Sequence, residues 1–302
     1  LVFFMLLAGL SGLRASVILI PMDAEGQENH LKAYGITYWV LTKQQKVQWL
    51  LNYRGGSFLI PDGEAIRNEC RIRGVSFEIL SDPQAEEILQ TISSPSRNME
   101  AVILEKAPKI AVYSPRGNPP WDDAVTMVLT YAEIPYVTLY DEEVLDDKLP
   151  LYDWLHLHHE DFTGQYGKFY GAYRAAPWYI EGKREAEALA ARLGYDKVSE
   201  QKAAVAGKIR NYVIGGGFMF AMCSATDRFD IALSAEGGDI CEPMFDGDPS
   251  DPNYQQRLDY SKTFAFRDFI LERSPIRYEF SSIDMTNHRE DIPPDSDYFT
   301  LM

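Results

Sequence analysis

The sequence predicts an α/β protein with a mostly parallel sheet, because strand-like and helix-like periodicities alternate along its whole length. Short continuous apolar runs, such as "SVILIPM", "KIAVYSP" and "FMFAM", predict buried strands. Between these runs, apolar side chains recur at helical spacing, as in "ENHLKAYGITYWVL". Apolar strands separated by amphipathic helices are typical of a sheet that is covered on both faces.

The first half begins with the strand "SVILIPM", the helix "ENHLKAYGITYWVL" and the strand "VQWLLNY". After the loop "RGGSFLIPDG" come a short helix around "EAIRNECRI", the strand "VSFEIL" and a helix with Asp82 as its cap and Pro83 in its first turn. The polar loop "SSPSRNME" then indicates a boundary near residues 95–106. We therefore predict an N-terminal α/β subdomain over residues 16–105 and a second α/β domain over residues 106–302.

The second half starts with the strand "KIAVYSP" and a helix within "NPPWDDAVTMVLTYAEIP", which has Asp122 and Asp123 in its first turn and ends at Pro135. It continues with "YVTLYD", "YDWLHLHHEDF", the helices "KREAEALAARLG" and "EQKAAVAGKIRNYVI", and the strand "FMFAM". Ligand sites of open α/β sheets lie where strands enter loops at their carboxyl ends. Both "HLHHEDF" and "MCSATD" lie at such ends.

The two ends of the chain predict export and truncation. The run "LVFFMLLAGL" is too short to span a bilayer as a helix, but it suits the core of a secretory signal with cleavage after Ala15. Residues 1–15 therefore predict an exported protein, periplasmic or secreted; the alternative is a buried first strand of a cytosolic protein. The other end, "DSDYFTLM", has no closing helix, so we expect a fragment at both ends.

The chain is acidic, with a formal net charge of −16. This charge repels phosphate backbones and anionic lipids, which argues against a nucleic-acid partner and against polybasic membrane docking. No later stretch is long and apolar enough to predict a membrane span in the mature chain. Three cysteines are too few for a disulfide scaffold: either Cys70 pairs with Cys241 and leaves Cys223 free, or all three thiols are unpaired.

The segment "GGGFMFAMCSATDRF" predicts a cysteine nucleophile on a sharp strand-to-helix turn. Such a turn needs small residues two places before and after the nucleophile, and Ala221 and Ala225 stand there. In this arrangement Cys223 attacks a carbonyl, and the backbone N–H of Ser224, at a helix N-terminus, faces the developing oxyanion. The alternative is a cysteine that packs in the core, since free cysteine is among the most buried residue types.

The segment "HLHHEDF" is the second candidate site. His156 and His158 alternate onto one face of a strand, and His159, Glu160 and Asp161 occupy its exit. Imidazoles and carboxylates at this density predict a zinc site with His156, His158 and His159 as ligands, or a general base, His158 or His159, for Cys223. The alternative is a polar strand end that orders the glycine-rich loop "TGQYGKFYG" through hydrogen bonds.

Two further segments carry less specific signals. The loop "CEPMFDGDPSDPNY" resembles part of a calcium loop but lacks the closing Glu of an EF-hand, so we expect a solvated turn. Residues 152–179 are dense in aromatic side chains, which suits stacking of a sugar or peptide. Of the two interpretations we prefer the second, in which the same aromatic side chains pack a long loop onto the sheet.

The order of strand, "IPY" turn, "YDWLHLHHEDF", paired helices and "GGGFMFAMCSA" resembles the class I glutamine amidotransferase-like fold over residues 108–230. The resemblance implies a three-layer α/β/α, flavodoxin-like domain with Cys223 as nucleophile. In that family the segment after the strand ends in a Gly-Gly turn that supplies a second oxyanion N–H, and here His158, His159 and Glu160 replace it. The family's catalytic His lies near the C-terminus, where this chain has His288 in a different setting.

Nearly the whole chain also resembles Bacteroidota proteins labelled asparagine synthetase B, through "HLKAYGITYWVL", "WLLNYRGGSF", "WDDAVTMVLTYAEIPY" and "LHLHHEDFTGQYGKFY". Genuine asparagine synthetases carry a Cys at the mature N-terminus and a Ser-Gly-Gly-x-Asp-Ser loop for ATP pyrophosphate. The residues near 16 include no Cys, and "RGGSF" lacks the acidic-serine completion. The resemblance therefore implies the family label without that reaction.

These observations favour an exported amide or ester hydrolase, or an amidotransferase-like enzyme, with Cys223 as nucleophile and no cofactor. The competing hypothesis is a non-catalytic protein on the same fold that binds a glycan or peptide through its aromatic loop. A zinc-dependent hydrolase centred on the histidines is the third. In each case the expected partner is a small-molecule amide, a peptide or a glycan.

Overall fold

The computed structural model describes residues 16–115, 124–285 and 298–302, and they divide into two compact units. The first unit comprises the described part of residues 1–107 together with 126–135, and the second comprises the described part of 108–125 and 136–302. The predicted signal peptide over residues 1–15, the first turn at Asp122 and Asp123, and His288 lie outside the described residues. The protein is mixed α/β, as the sequence predicted.

The first unit is built on a five-stranded sheet in the order β4-β1-β3-β2-β5. Its strands are β1 (Ser16–Ile20), β2 (Val47–Leu51), β3 (Phe58–Pro61), β4 (Glu78–Ser81) and β5 (Glu100–Leu104). Its helices are α1 (His30–Thr42), α2 (Glu64–Arg73), α3 (Asp82–Ile92) and most of α4 (Ala124–Ala132). Apolar side chains pack on both faces of this sheet, Ile18 and Ile20 on one and Leu19 on the other.

This first sheet corrects the prediction of parallel pairing for the N-terminal strands. All of its ladders are antiparallel. Residues 52–57 join β2 to β3, a connection far too short for the crossover of a dozen or more residues that parallel neighbours require. Arg54, Gly55 and Gly56 in this connection all have positive φ, so "RGG" forms the tight turn of a hairpin.

The second unit contains the predicted parallel sheet, in the order β7-β6-β8-β9. Its strands are β6 (Ile110–Tyr113), β7 (Tyr136–Leu139), β8 (Trp154–Leu157) and β9 (Phe218–Ala221), with the short pair β10 (Phe266–Arg267) and β11 (Thr300–Leu301). Its helices are α5 (Asp141–Leu145), α6 (Tyr170–Tyr173), α7 (Pro177–Arg192), α8 (Val198–Ile214), α9 (Ala225–Ser234) and α10 (Pro243–Asp246). Single 3₁₀ turns lie at Leu149–Leu151, Tyr166–Lys168, Tyr254–Arg257 and Tyr260–Lys262.

The core of the second unit lies between one face of the parallel sheet and helices α5, α8 and α9. Ala111, Leu155 and Leu157 point from the strands into this core, and Phe229 meets them from α9. The chain runs from β6 to β7 on one side and then returns to β8 on the other, so the strand order reverses beside β6. In open α/β sheets this reversal opens a crevice at the carboxyl edge.

Within the described ranges we find no helix whose length and apolar content would let it traverse a bilayer. Cys70, Cys223 and Cys241 are all free, so the Cys70–Cys241 pair is absent and the alternative of three unpaired thiols is the one observed.

Candidate functional site

A pocket of about 330 Å³ lies at the carboxyl edge of the parallel sheet. Each of the four strands is followed by residues that line the pocket: Pro115 after β6, Tyr140 after β7, His159 to Asp161 after β8, and Cys223 with Ser224 after β9. The sequence-predicted residues His159, Glu160, Cys223 and Ser224 therefore meet in one cavity, at the edge where such sheets bind ligands.

Cys223 occupies the turn between β9, which ends at Ala221, and α9, which begins at Ala225. Its φ is 54°, in the left-handed region that costs a residue with a Cβ roughly 1–2 kcal/mol. The turn is held in place because the N–H of Met222 donates to the Leu157 carbonyl (3.0 Å) and that of Ala225 to the His158 carbonyl (3.1 Å). The thiol-bearing residue is exposed, which the alternative of a core cysteine does not predict.

The backbone strain at Cys223 gives a stability prediction that needs no substrate. Because glycine adopts positive φ without steric cost, Cys223→Gly should be about 1 kcal/mol more stable than Cys223→Ala in urea denaturation. The matched control is Ala225→Gly at the first residue of α9, which has no positive φ to relieve and loses a buried methyl group, so it should lose about 1 kcal/mol. A Cys223→Gly variant less stable than Cys223→Ala would contradict the strained turn.

Ser224 is the N-cap residue of α9, so its backbone N–H is one of the donors that no helical carbonyl accepts. Ser224 is also one of the residues that line the pocket. The Oγ atom is buried and has no hydrogen-bond partner among the residues that the structure describes. The backbone N–H of Ser224 is thus the polar group of this residue that is placed to serve the site beside Cys223.

The three histidines of "HLHHEDF" do not converge as one ligand set. His156 lies inside β8, 2% exposed, and its ring stacks on Phe220 of the neighbouring strand with centroids 5.7 Å apart. The Nδ1 atoms of His158 and His159 lie 3.1 Å apart, and of these two rings only that of His159 lines the pocket. In the part of the chain that the structure describes, the ring nitrogens of His156, His158 and His159 do not gather within 4.8 Å of one another, so the arrangement does not form the predicted zinc site.

One group with metal-ligand geometry lies elsewhere in the described residues: the ligand atoms of Asp239, Cys241 and Asp246 lie within 4.8 Å of one another. The Nζ atom of Lys197 lies 2.7 Å from the Asp239 carboxylate and 3.2 Å from that of Asp246. Burial also raises the pKa of the Cys241 thiol far above its ordinary value. The Lys197 ammonium group therefore already balances the charge of these two carboxylates. It also forms an ion pair with Asp248 of the same acidic loop.

Glu160 and Asp161 shape the loop after β8. The Glu160 carboxylate accepts a hydrogen bond from the backbone N–H of His158 at 2.9 Å. The Asp161 carboxylate accepts hydrogen bonds from the backbone N–H groups of Thr163 (2.7 Å) and Gly167 (2.9 Å). Tyr166, Gly167 and Lys168 all have positive φ, so this loop makes a left-handed turn. The polar end of the strand thus orders the glycine-rich loop, which was the alternative to metal binding.

The aromatic residues of this region serve two purposes. Phe162 is fully buried in the core of the second unit, as packing of the loop onto the sheet requires. Tyr173 and Trp178 are 45% and 54% exposed, and both rings contact Phe169, which lines the pocket. A partly exposed aromatic cluster therefore lies beside the cavity.

Sequence reasoning missed two cations of the pocket, Lys202 and Arg228. The Lys202 ammonium is buried, 2.9 and 2.8 Å from the two carboxylate oxygens of Asp141, and the hydroxyl oxygens of Tyr113 and Tyr140 also lie within hydrogen-bonding distance of its Nζ. Arg228 is 2% exposed on α9. Neither has a local sequence signal, because Asp141 is 61 residues from Lys202 and the partners of Arg228 are at least 50 residues away.

Asp227, in the first turn of α9, predicts a pH-dependent stability. Burial raises the pKa of its carboxyl to about 6, and the charge of Arg228 offsets only part of this. Because the folded-state pKa lies above the value of 3.8 that an aspartate has in the unfolded chain, the folded state loses stability as the pH rises from about 4 to about 6. We expect Asp227→Asn to gain up to about 3 kcal/mol at pH 7 and almost nothing at pH 4. Equal gains in stability at pH 4 and pH 7, measured by urea denaturation, would contradict the raised pKa of Asp227.

No known protein family, curated protein or solved structure matches this chain. The class that the fold and the site define is therefore an α/β protein with an exposed cysteine on a strained strand-to-helix turn, at the carboxyl edge of a parallel sheet.

Proposed function

We propose that this protein is a thiol-dependent hydrolase or acyl-transfer enzyme that acts on an amide or ester, on an amidotransferase-like fold. The single observation that carries the proposal is the left-handed backbone of an exposed Cys223 between β9 and α9. A fold keeps such strain at a non-glycine residue where function requires it, and the same turn presents the nucleophile in α/β hydrolases. The parallel strand order β7-β6-β8-β9 supports the proposal that the fold is amidotransferase-like.

In the proposed reaction, the Cys223 Sγ attacks the carbonyl carbon of the substrate while its proton passes to the His159 imidazole. The carbonyl oxygen takes the electron pair and faces the Ser224 N–H and the N-terminus of α9, which favour negative charge. When the C–N or C–O bond breaks, the leaving amine or alcohol takes the proton from the imidazole. Water then attacks the thioester, which releases the acid and restores the thiol.

The second imidazole has a supporting role in this proposal. With the Nδ1 atoms of His158 and His159 3.1 Å apart, one ring donates and the other accepts, so His158 orients the ring of His159. The Glu160 carboxylate accepts a hydrogen bond from the backbone N–H of His158 and so fixes the turn that carries both rings. His158, His159 and Glu160 occupy the position at which the class I glutamine amidotransferase-like family has its Gly-Gly turn. In this proposal they replace the turn that supplies the second oxyanion N–H in that family.

The test is a screen of p-nitrophenyl esters and small amides, with and without prior treatment by iodoacetamide. We expect hydrolysis that falls in proportion to carboxamidomethylation of Cys223, read by peptide mass spectrometry. Activity that survives complete modification of Cys223 would remove the thiol from the mechanism.

A non-catalytic binding protein is the second candidate, and the exposed rings of Tyr173 and Trp178 beside the pocket favour it. Glycans and peptides stack on such surfaces. It predicts that a Trp178→Ala variant loses glycan or peptide binding, measured by calorimetry, while the Cys223→Ala variant binds as well as the unaltered protein.

A further inference from the structure

Arg228 presents a rigidly held guanidinium to the Cys223 pocket. One of its terminal nitrogens, Nη1, donates to the His159 carbonyl at 3.0 Å, and Nη2 donates to the Tyr278 hydroxyl at 3.3 Å. The Phe280 ring lies 4.3 Å from its central carbon. With only 2% of its surface exposed, the side chain is fixed between the loop after β8 and the segment that carries Tyr278.

No carboxylate of the described ranges makes a direct ion-pair contact with Arg228, although the adjacent Asp227 carboxylate interacts with its charge at longer range. Both of its acceptors are neutral oxygen atoms, and its Nε has no hydrogen-bond partner there. The other charged residues that line the pocket are engaged: Asp161 by Thr163 and Gly167, Glu160 by the His158 N–H, and Lys202 by Asp141. A buried cation that no carboxylate contacts directly is costly, and an anionic ligand in the pocket would offset this cost.

We infer that Arg228 is a specificity-determining residue that binds a carboxylate of the substrate, so that the enzyme selects amides or esters which also carry an anionic carboxylate. The inference rests on the proposed function for the reaction, but the binding of the anion does not require turnover. A guanidinium has five N–H donors, of which two are used here, and its planar fork matches a carboxylate. The N-terminus of α9, on the same pocket, favours negative charge as well.

The test compares two alkylating reagents of nearly equal size, anionic iodoacetate and neutral iodoacetamide, at Cys223. The rate constant for iodoacetate is divided by that for iodoacetamide, and this ratio is compared with the same ratio measured on a synthetic peptide of residues 220–226. Since the protein carries a net charge of −16, its overall field disfavours the anion, and a preference for the anion therefore needs positive charge close to Cys223. We expect the protein's ratio to exceed the peptide's by roughly fivefold or more.

Variants assign the effect to Arg228. Arg228→Gln should lower the ratio to the peptide's value or below it, and Arg228→Lys should retain an intermediate ratio. Tyr278→Phe, which removes one hydrogen-bond partner but no charge, should keep the ratio high. A ratio in the unaltered protein no higher than the peptide's, or one that Arg228→Gln leaves unchanged, would overturn the inference.

A measurement on the unaltered protein applies where Arg228→Gln does not fold. Succinate should protect Cys223 from iodoacetamide, and its neutral diamide should not; protection by inorganic phosphate alone, or by neither anion, would overturn the assignment. Both reagents attack the same thiolate at the same pH, so the thiolate fraction cancels in the ratio. A high ratio without hydrolysis therefore refutes only the proposed reaction, and a low ratio with hydrolysis refutes only the carboxylate.

Discussion

Replacement of Cys223 by alanine is expected to abolish the thiol-dependent hydrolysis of any ester or amide that the protein turns over, by at least about 10³-fold in kcat. The reason is that the turn itself, which the structure describes in full, has no second exposed nucleophile: Ser224 is the cap of α9, and its Oγ is buried. Initial rates with the best ester of the screen provide the measurement.

The control is Cys70→Ala. Burial raises the pKa of the Cys70 thiol to about 11, so this thiol stays protonated near neutral pH and takes no part in the reaction. It lies in the core of the first unit, so the variant should keep its kcat although it loses some stability. Full activity in Cys223→Ala would show that the hydrolysis does not depend on the turn.

Lys202→Met is expected to destabilise the protein by about 3–5 kcal/mol, because it leaves the Asp141 carboxylate buried without its cation. Asp141 is 1% exposed, and Lys202 bonds both of its oxygens. Burial, followed by the charge of Asp141, also raises the pKa of Tyr113 far above its usual range, so that hydroxyl remains a donor to the carboxylate. Urea denaturation at pH 7 measures the loss.

A matched control lies on the same helix. Lys208 pairs with Asp147 at 2.5 Å, but their side chains are 37% and 70% exposed. Lys208→Met should therefore cost less than about 1 kcal/mol. The double variant Lys202→Met with Asp141→Asn should recover part of the large loss, since it leaves no unpaired charge. Equal losses for Lys202→Met and Lys208→Met would show that the buried network does not hold the second unit together.

The turn at Cys223 was predictable because its determinants are local. A buried strand, small residues at positions 221 and 225, and a polar residue that caps the next helix are all visible within a few residues. The parallel pairing of the second half was predictable for a similar reason, since long helical connections separate its strands. The hairpin of the first half was not predicted, because the whole of "RGGSFLIPDG" was interpreted as a loop, although Phe58–Pro61 within it form β3.

The lining of the pocket was not predictable, because it depends on contacts between distant segments. Arg228 meets a carbonyl 69 residues away and a hydroxyl 50 residues away. His156 and His158 alternate along one strand, yet His156 turns out to stack on Phe220, which only the adjacency of β8 and β9 determines. A residue's partners across a sheet follow from strand order, and a single sequence does not contain that order in local form.

Capture of an acyl group on the protein tests the central claim most directly. The native protein, mixed with p-nitrophenyl acetate and quenched in acid, should gain one acetyl group, and peptide mass spectrometry should locate it on Cys223. Cys70 and Cys241 should stay unmodified, since both are buried. A native protein that gains no acetyl group, or gains it only at residues away from Cys223, would contradict the proposal that this turn carries a nucleophile.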